Sequence, residues 1–267
     1  MITRDSFIKS PIEIESELLQ LVDKNRSVVI FDIGACEAED SIRYADLFPR
    51  STVYAFEPRT DNCTKAKELI SQYKKSNIVL ENLALSDQNG VAEFYLSEGE
   101  PEHLKNSEQW NYGNKSSSLL PPSDEIIKHT GWLQFNNKIE VKTLRLDDYV
   151  AKKGISTIDF VHMDVQGAEL MVLNGAGDFL SQIQLIWLEV EAVELYKGQP
   201  LKNEVEIFMQ KNNFVNILNT VNKISGDQLY ANLRFYSKEQ LSNIKISKNK
   251  FFLISRIKSF LKNKIRL

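Results

Sequence analysis

The residues able to do chemistry gather in three short stretches of the chain. The first is Asp32-Ile33-Gly34-Ala35-Cys36-Glu37-Ala38-Glu39-Asp40, one glycine among four carboxylates. The second is Glu57-Pro58, 23 residues after Gly34. The third is His162, Asp164 and Glu169, followed by Glu189 and Glu191. A glycine turn with a carboxylate about 20 residues further on suits a nucleoside: the turn allows close approach, and the carboxylate accepts from both ribose hydroxyls. His162 and Asp164 lie two apart and share one side of a strand, where either is a candidate base for a hydroxyl. Plainer readings stand beside these. Asp32 or Asp164 can cap the following helix, or Asp164 can hold an amino group. Glu57 can be a solvated strand end, His162 a core histidine, and Glu169 a carboxylate favoured by the helix dipole. Asp164, Glu169, Glu189 and Glu191 could surround a divalent cation, but without a ligand cluster in the sequence no metal is expected.

Charge narrows the ligand. A dinucleotide turn wants G-x-G-x-x-G, so that backbone amides reach a pyrophosphate, and only Gly34 is present. Glu37, Glu39 and Asp40 would set carboxylates against those phosphates. S-adenosylmethionine carries a sulfonium and an ammonium and no phosphate, so an acidic turn suits it better. Methyl transfer from a sulfonium requires chiefly alignment and desolvation, plus a base when the acceptor is a hydroxyl.

Positioning these groups calls for alternating strands and helices. The predicted strands are Ser27–Ile33, Thr52–Pro58, Asn77–Leu85, Val91–Leu96, Ile158–Val165 and Ile183–Glu191, with Phe214–Thr220 and Leu229–Tyr236 as a closing antiparallel pair. Helices are expected over Asp40–Phe48, Asp61–Tyr73 (capped by Asp61 or Asn62), Ala168–Leu180 and Val205–Lys211. The alternation implies an α/β fold, a mostly parallel sheet covered on both faces. Residues 1–26 read as a helical segment and 27–240 as the main domain. Residues 97–138 form an irregular insertion, suited to a lid or binding loop, in which His129 and Trp132 are candidates to line an acceptor site.

The chain has 267 residues, 42% hydrophobic and 26% charged, with a net charge of −3. Two distant cysteines and a polar start lead to the expectation of a cytoplasmic protein without a signal peptide. An acidic body argues against nucleic-acid partners. The tail, 241–267, is the exception: from Lys245 onward it has eight basic and no acidic side chains. Leu253, Ile254, Ile257, Phe260 and Leu261 recur at helical spacing, so this stretch suits peripheral contact with an anionic membrane or docking on a partner.

Five ordered segments, "FDIGACEAEDSIRYADLFP", "VYAFEP", "NLALSDQNGVAEFY", "VKTLRLDDYV" and "IDFVHMDVQGAELMVLNGA", resemble the FkbM-type methyltransferases over about Ile30 to Glu191, and "ELYKGQPL" extends the likeness. The resemblance implies the class I methyltransferase fold, Rossmann-like with a seven-stranded sheet. It also implies S-adenosylmethionine as cofactor and O-methylation of a sugar in a glycan or glycolipid precursor. By resemblance Asp32, Gly34, Ala35 and Cys36 line the cofactor, Glu57 and Pro58 hold the ribose, and Asn82, Leu83 and Ala84 lie near adenine. Asp164 sits by the reacting methyl group, with His162 and Glu169 as further catalytic candidates. Two departures favour a non-catalytic binding module as the alternative. The family usually has Asn and Gly at Cys36 and Ala38, where a methyl would crowd the ligand. Gln166 stands where glutamate is common.

Overall fold

The computed structural model describes residues 3–101 and 111–245. The chain opens with two short helices, α1 (Arg4–Ile8) and α2 (Glu15–Leu21). Then follow β1 (Val28–Ile33), α3 (Glu39–Leu47), β2 (Ser51–Phe56), α4 (Thr60–Gln72) and β3 (Ile78–Glu81). After β4 (Ala84–Ser86) and β5 (Gly90–Glu98) come α5 (Asp124–Thr130), β6 (Gln134–Arg145) and α6 (Leu146–Lys153). The last part is β7 (Ile158–Met163), α7 (Glu169–Gly175), β8 (Ile183–Glu191), α8 (Lys202–Lys211), β9 (Phe214–Asn219), β10 (Ser225–Asn232) and α9 (Lys238–Ser242). The main sheet has seven strands in the order β3-β2-β1-β7-β8-β10-β9. Only the β8–β10 and β10–β9 pairings are antiparallel. This is the class I methyltransferase architecture.

Side-chain alternation divides the core into two layers. Phe31, Ile33, Val161 and Met163 pack with α6, α7 and α8, whereas Val28, Ile30 and Phe160 pack with α2 and α3. Asp32 and His162, opposite each other in the β1–β7 register, therefore face the α3 layer. From β1 the chain runs outward to β2 and β3, then returns across to β7. Strand order thus reverses between β1 and β7, and a crevice opens outside their carboxyl ends.

Several expectations need correction. Asn77–Leu85 is not one strand: β3 joins the main sheet, while β4 joins a second sheet of order β4-β6-β5. The break falls at Asn82, whose side-chain amide donates to the Glu57 and Pro58 carbonyls at 3.0 Å each, a bond that strand continuation would not allow. Helix α4 starts at Thr60 without a side-chain cap from its N-cap Arg59; the expected caps Asp61 and Asn62 lie inside its first turn, Asp61 on the Arg59 guanidinium at 2.7 Å and Asn62 bonded to Asn114 at 2.7 Å. The closing strand begins at Ser225, four residues early, and the expected helix over Ala168–Leu180 becomes 3₁₀ from Gly177.

The described part of the insertion combines short regular elements with loops. The β5–β6 hairpin, a 3₁₀ turn at Gly113–Ser116 and α5 fold back onto the domain. No helix among the described residues is long and apolar enough to cross a membrane. The basic amphipathic stretch from 246 onward, with the membrane contact read from it, lies outside the described residues.

Candidate active site

A partly open cavity enclosing about 50 Å³ lies at the strand-order reversal. Its floor is Gly34 and Cys36 after β1, Glu57 and Pro58 after β2, and Asp164 to Gln166 after β7. Leu83, Ala84 and Phe94 form an apolar side, and Asn114, Lys115, Ser117 and Leu119 from the insertion close the remaining wall.

Gly34 adopts φ +88°, and a Cβ placed there would stand 2.0 Å from the Asp164 carbonyl oxygen. Its bareness serves the close crossing of the β1 and β7 loops, not the approach of a ligand. The peptide of Asp164 is held against β1 by its N–H, which donates to the Ile33 carbonyl at 3.0 Å. Cys36 and Ala38 follow with φ of 50° and 66°, in the left-handed region that Asn and Gly adopt most readily. That conformation accounts for the usual family residues at these positions. Ala38 is fully buried and absent from the cavity wall, so its methyl does not crowd the ligand space.

Glu57 is 4% exposed. One carboxylate oxygen accepts the Cys36 N–H at 2.9 Å and the other the Arg59 N–H at 2.7 Å. The Asn62 side chain also bonds the carboxylate, which keeps acceptor capacity for a further donor. Burial raises the Glu57 pKa to about 7 against the lowering effect of those backbone bonds. The side chain is thus fixed at the cavity floor.

The neighbouring carboxylates do not behave as their number suggested. Glu37 is fully buried and pairs with Arg4, and with Lys65 at 3.1 Å; Glu39 lies 3.3 Å from Arg4 and 3.8 Å from Lys115. Asp40 pairs with Arg43 at 2.6 Å. Cations from α1, α3, α4 and the insertion neutralise the turn. The acidity of the turn therefore does not select a cationic ligand, and ligand choice falls to the wall of the cavity itself.

Asp32 lies behind the cavity. Its carboxylate accepts the Ser41 hydroxyl at 2.5 Å and meets His162 Nδ1 at 2.9 Å. It does not cap α3, whose N-cap is Ala38. Burial disfavours the imidazolium, but the Asp32 hydrogen bond and charge outweigh it, and the His162 pKa rises to about 9. Asp164 does not cap a helix either, because α7 starts from Ala168. Instead one Asp164 oxygen accepts the Gln166 side-chain amide at 2.5 Å. The same amide donates to Glu189 at 2.9 Å, and the Gln166 oxygen accepts the Tyr196 hydroxyl at 2.9 Å. Glutamine is thus the residue that can join two carboxylates; a glutamate would add a third negative charge.

Glu169 is 2% exposed and accepts the Val165 and Gly167 N–H groups at 3.2 and 3.3 Å, which shapes the loop carrying Asp164. Burial first, and the nearby Asp164 charge, raise its pKa to about 7. Glu191 rises to about 10 through burial and the charges of Glu169, Glu189 and Asp164. Among the described residues, no group of three or more His, Cys, Asp or Glu has metal-holding geometry.

The structure therefore brings Gly34, Cys36, Glu57, Pro58, Leu83, Ala84 and Asp164 onto one cavity. Asp32, Ala35, Asn82, His162 and Glu169 stand outside its wall, as supports or in the adjoining layer. Trp132 packs with Ile126, Leu133 and Tyr196, and His129 lies beside Glu125 at 3.6 Å; neither lines the cavity. The residues missed from sequence are those of the insertion, whose only signal was the polar run Gly113 to Ser118.

The family model described as the methyltransferase FkbM domain matches residues 32–215. The chain belongs to the FkbM methyltransferase family. A relative from Sinorhizobium fredii strain NGR234, named 2-O-methyltransferase NoeI, is 28% identical over 226 residues, 84% of this chain and 87% of its own. The AMB antimetabolite synthetase AmbE of Pseudomonas aeruginosa is 28% identical over 180 residues, 61% of this chain but 8% of that much longer protein. Among solved structures, an rRNA methylase from Streptococcus thermophilus aligns with TM-score 0.45 at 15% identity, covering 84% of this chain and 98% of that one. A Streptococcus mutans protein crystallised with SAH aligns with TM-score 0.44 at 15% identity, covering 83% and 96%.

As a member of the FkbM family the protein is an S-adenosylmethionine-dependent methyltransferase. The two departures behind the non-catalytic reading are both accommodated: Ala38 lies off the wall, and Gln166 is fully bonded.

Proposed function

We propose that this enzyme methylates a hydroxyl oxygen, a sugar hydroxyl of a glycan or glycolipid precursor, and that the cavity at the β1–β7 reversal holds S-adenosylmethionine. The observation that carries the reading is the Glu57 carboxylate, fixed by two backbone N–H groups and sharing one cavity with Asp164. The donor set fits the cofactor. Glu57 offers its remaining acceptor capacity to a ribose diol, and Leu83, Ala84 and Phe94 offer an apolar slot for a purine. The named activity of the Sinorhizobium relative supports oxygen as the atom methylated.

The bound cofactor supplies an electrophilic methyl group. Asp164 would take the proton of the acceptor hydroxyl as its oxygen bonds the methyl carbon and the methyl–sulfur bond breaks to leave a neutral thioether. Gln166 holds the Asp164 carboxylate in place, and Glu169 fixes the loop that carries both. Asp32 and His162 support β1 and β7 from the opposite layer.

The test is calorimetry with S-adenosylmethionine on the wild type and Glu57→Ala, followed by turnover on a hydroxyl acceptor with Asp164→Asn. Glu57→Ala should lose about 100-fold or more in affinity, as expected for truncating a buried carboxylate that accepts two hydroxyls. Asp164→Asn should bind the cofactor and fail to transfer the methyl. Unchanged affinity in Glu57→Ala would remove the assignment of this cavity.

A further inference from the structure

The insertion closes the cavity with a group that sequence reasoning did not single out. Residues 113–118 are tied to all three loops of the floor. The Asn114 amide donates to Glu37 at 3.0 Å and to Asn62 at 2.7 Å. The Arg59 guanidinium donates to the Ser117 hydroxyl at 3.1 Å, and the Ser118 hydroxyl to the Gln166 carbonyl at 2.8 Å. Between these anchors Lys115 is set into the wall beside Cys36, with 4.0 Å from Nζ to Sγ. Among the described residues on the wall, Lys115 is the only lysine or arginine.

The amino-acid arm of the cofactor has one group that the other polar side chains of the wall do not serve. Glu57 and Asp164 suit hydroxyls and an ammonium, whereas an α-carboxylate needs a cation or backbone donors. Arg59 is committed to Asp61, through bonds of 3.0 and 2.7 Å. Arg4 and Lys65 serve Glu37 behind the turn, and Arg4 also serves Glu39. Lys115 lies 3.8 Å from Glu39 and also lines the cavity, which those other cations do not. Burial disfavours the Lys115 ammonium but is outweighed by Cys36, Glu39, Glu37 and Asp40, so the charge is retained in the wall.

We infer that Lys115 reads the α-carboxylate of the cofactor's methionine arm, and so makes the insertion a part of the cofactor site. The inference rests on the cavity assignment proposed above. It makes Lys115 a specificity determinant: ligands with the same adenosine and thioether but no carboxylate lose a contact that the wild type supplies.

Two probes separate the possibilities, S-adenosylhomocysteine and S-adenosyl-3-thiopropylamine, which keeps the ammonium and lacks the carboxylate. Their affinities are measured by calorimetry on the wild type, Lys115→Met, Lys115→Arg and Glu57→Gln. The wild type should prefer S-adenosylhomocysteine by about tenfold or more, the size of a charge-assisted contact. Lys115→Met should lose that preference while binding the decarboxylated probe as the wild type does, and Lys115→Arg should retain part of it. Equal affinity of the wild type for both probes would overturn the inference without reference to any variant. So would an equal weakening of both probes in Lys115→Met, which would mean a structural role. Glu57→Gln should weaken both probes alike; if it weakens neither, the cavity assignment itself is wrong, an outcome distinct from failure at Lys115.

Discussion

At the scale of single residues, backbone conformation explains more of the cofactor turn than ligand contact does. Gly34 and Ala38 look alike in the sequence, as small residues flanking a turn, yet the structure gives them opposite sensitivities. Gly34→Ala would put a methyl 2.0 Å from the Asp164 carbonyl, at a φ of +88° that side chains resist. It should destabilise the enzyme by about 3 kcal/mol or more, through backbone strain and a displaced Asp164 loop, with loss of cofactor binding. Ala38→Gly should be mild. Relief of a left-handed alanine gains about 1–2 kcal/mol, and the lost burial of one methyl costs about 0.8 kcal/mol, so stability should stay within about 1 kcal/mol of the wild type. Its affinity for S-adenosylmethionine should stay within about twofold, since Ala38 is off the wall. Thermal melts and calorimetry on both variants check the pair. A marked gain of affinity in Ala38→Gly would restore the crowding explanation that the sequence suggested.

At the scale of elements, legibility followed the source of each element's stability. The buried parallel strands were readable because both faces are apolar: Val28–Ile33 and Ile183–Glu191 differ from expectation by one residue at most. What the sequence concealed was set by single long-range hydrogen bonds, such as the Asn82 amide that ends β3. The insertion was unreadable for the same reason. Its turn at Gly113–Ser116 has no apolar period and is held by polar bonds to Glu37, Asn62, Ser97 and Gln166. Of the site, the strand-end residues Glu57 and Asp164 were visible from position alone, and the wall made by Asn114 to Leu119 was not. Asn114 tests whether those bonds hold the wall. It is 4% exposed, and Asn114→Ala removes both donors: the buried Asn62 side-chain oxygen loses its bond, while the Glu37 oxygen keeps Lys65 at 3.1 Å. The cost should be about 1–3 kcal/mol where the segment docks, read as faster amide exchange over 111–119 and a weaker hold on cofactor. Exchange in β1 and β7 should change little, because their core packing does not involve the insertion. Uniform loss of protection across the sheet would show that the wall is part of the core.

At the scale of the whole molecule, the buried acids set how stability responds to pH. Glu57 and Glu169 have pKa values of about 7, and Glu191 about 10, all above the ordinary 4.5 because burial disfavours their charged forms. His162 stands at about 9, above the ordinary 6.5: burial lowers it, and Asp32 more than compensates. All four groups hold protons in the folded state that the unfolded chain would release. Their stabilisation is complete below the unfolded values and is lost as pH rises through the folded ones. Opposing them, Glu37, Asp40 and Asp147 are ionised more readily in the folded state, despite burial, through Arg4 and Lys65, Arg43, and Arg145 respectively. Those pairs contribute above the unfolded carboxylate values and weaken only as pH falls below them. The two sets meet on the mildly acidic side, so the ligand-free enzyme should have its highest Tm near pH 5, followed by a decline toward pH 10. Glu191→Gln should flatten that decline along its whole length, most visibly between pH 9 and 10, where Glu57, Glu169 and His162 no longer contribute. Cofactor binding should rise over the lower window, since a ribose diol prefers the ionised Glu57, so saturating S-adenosylmethionine should move the Tm maximum toward neutral pH. A Tm that climbs steadily from pH 5 to 9 without ligand would mean that these acids are ionised and solvated, and that the closed cavity floor described here is open in solution.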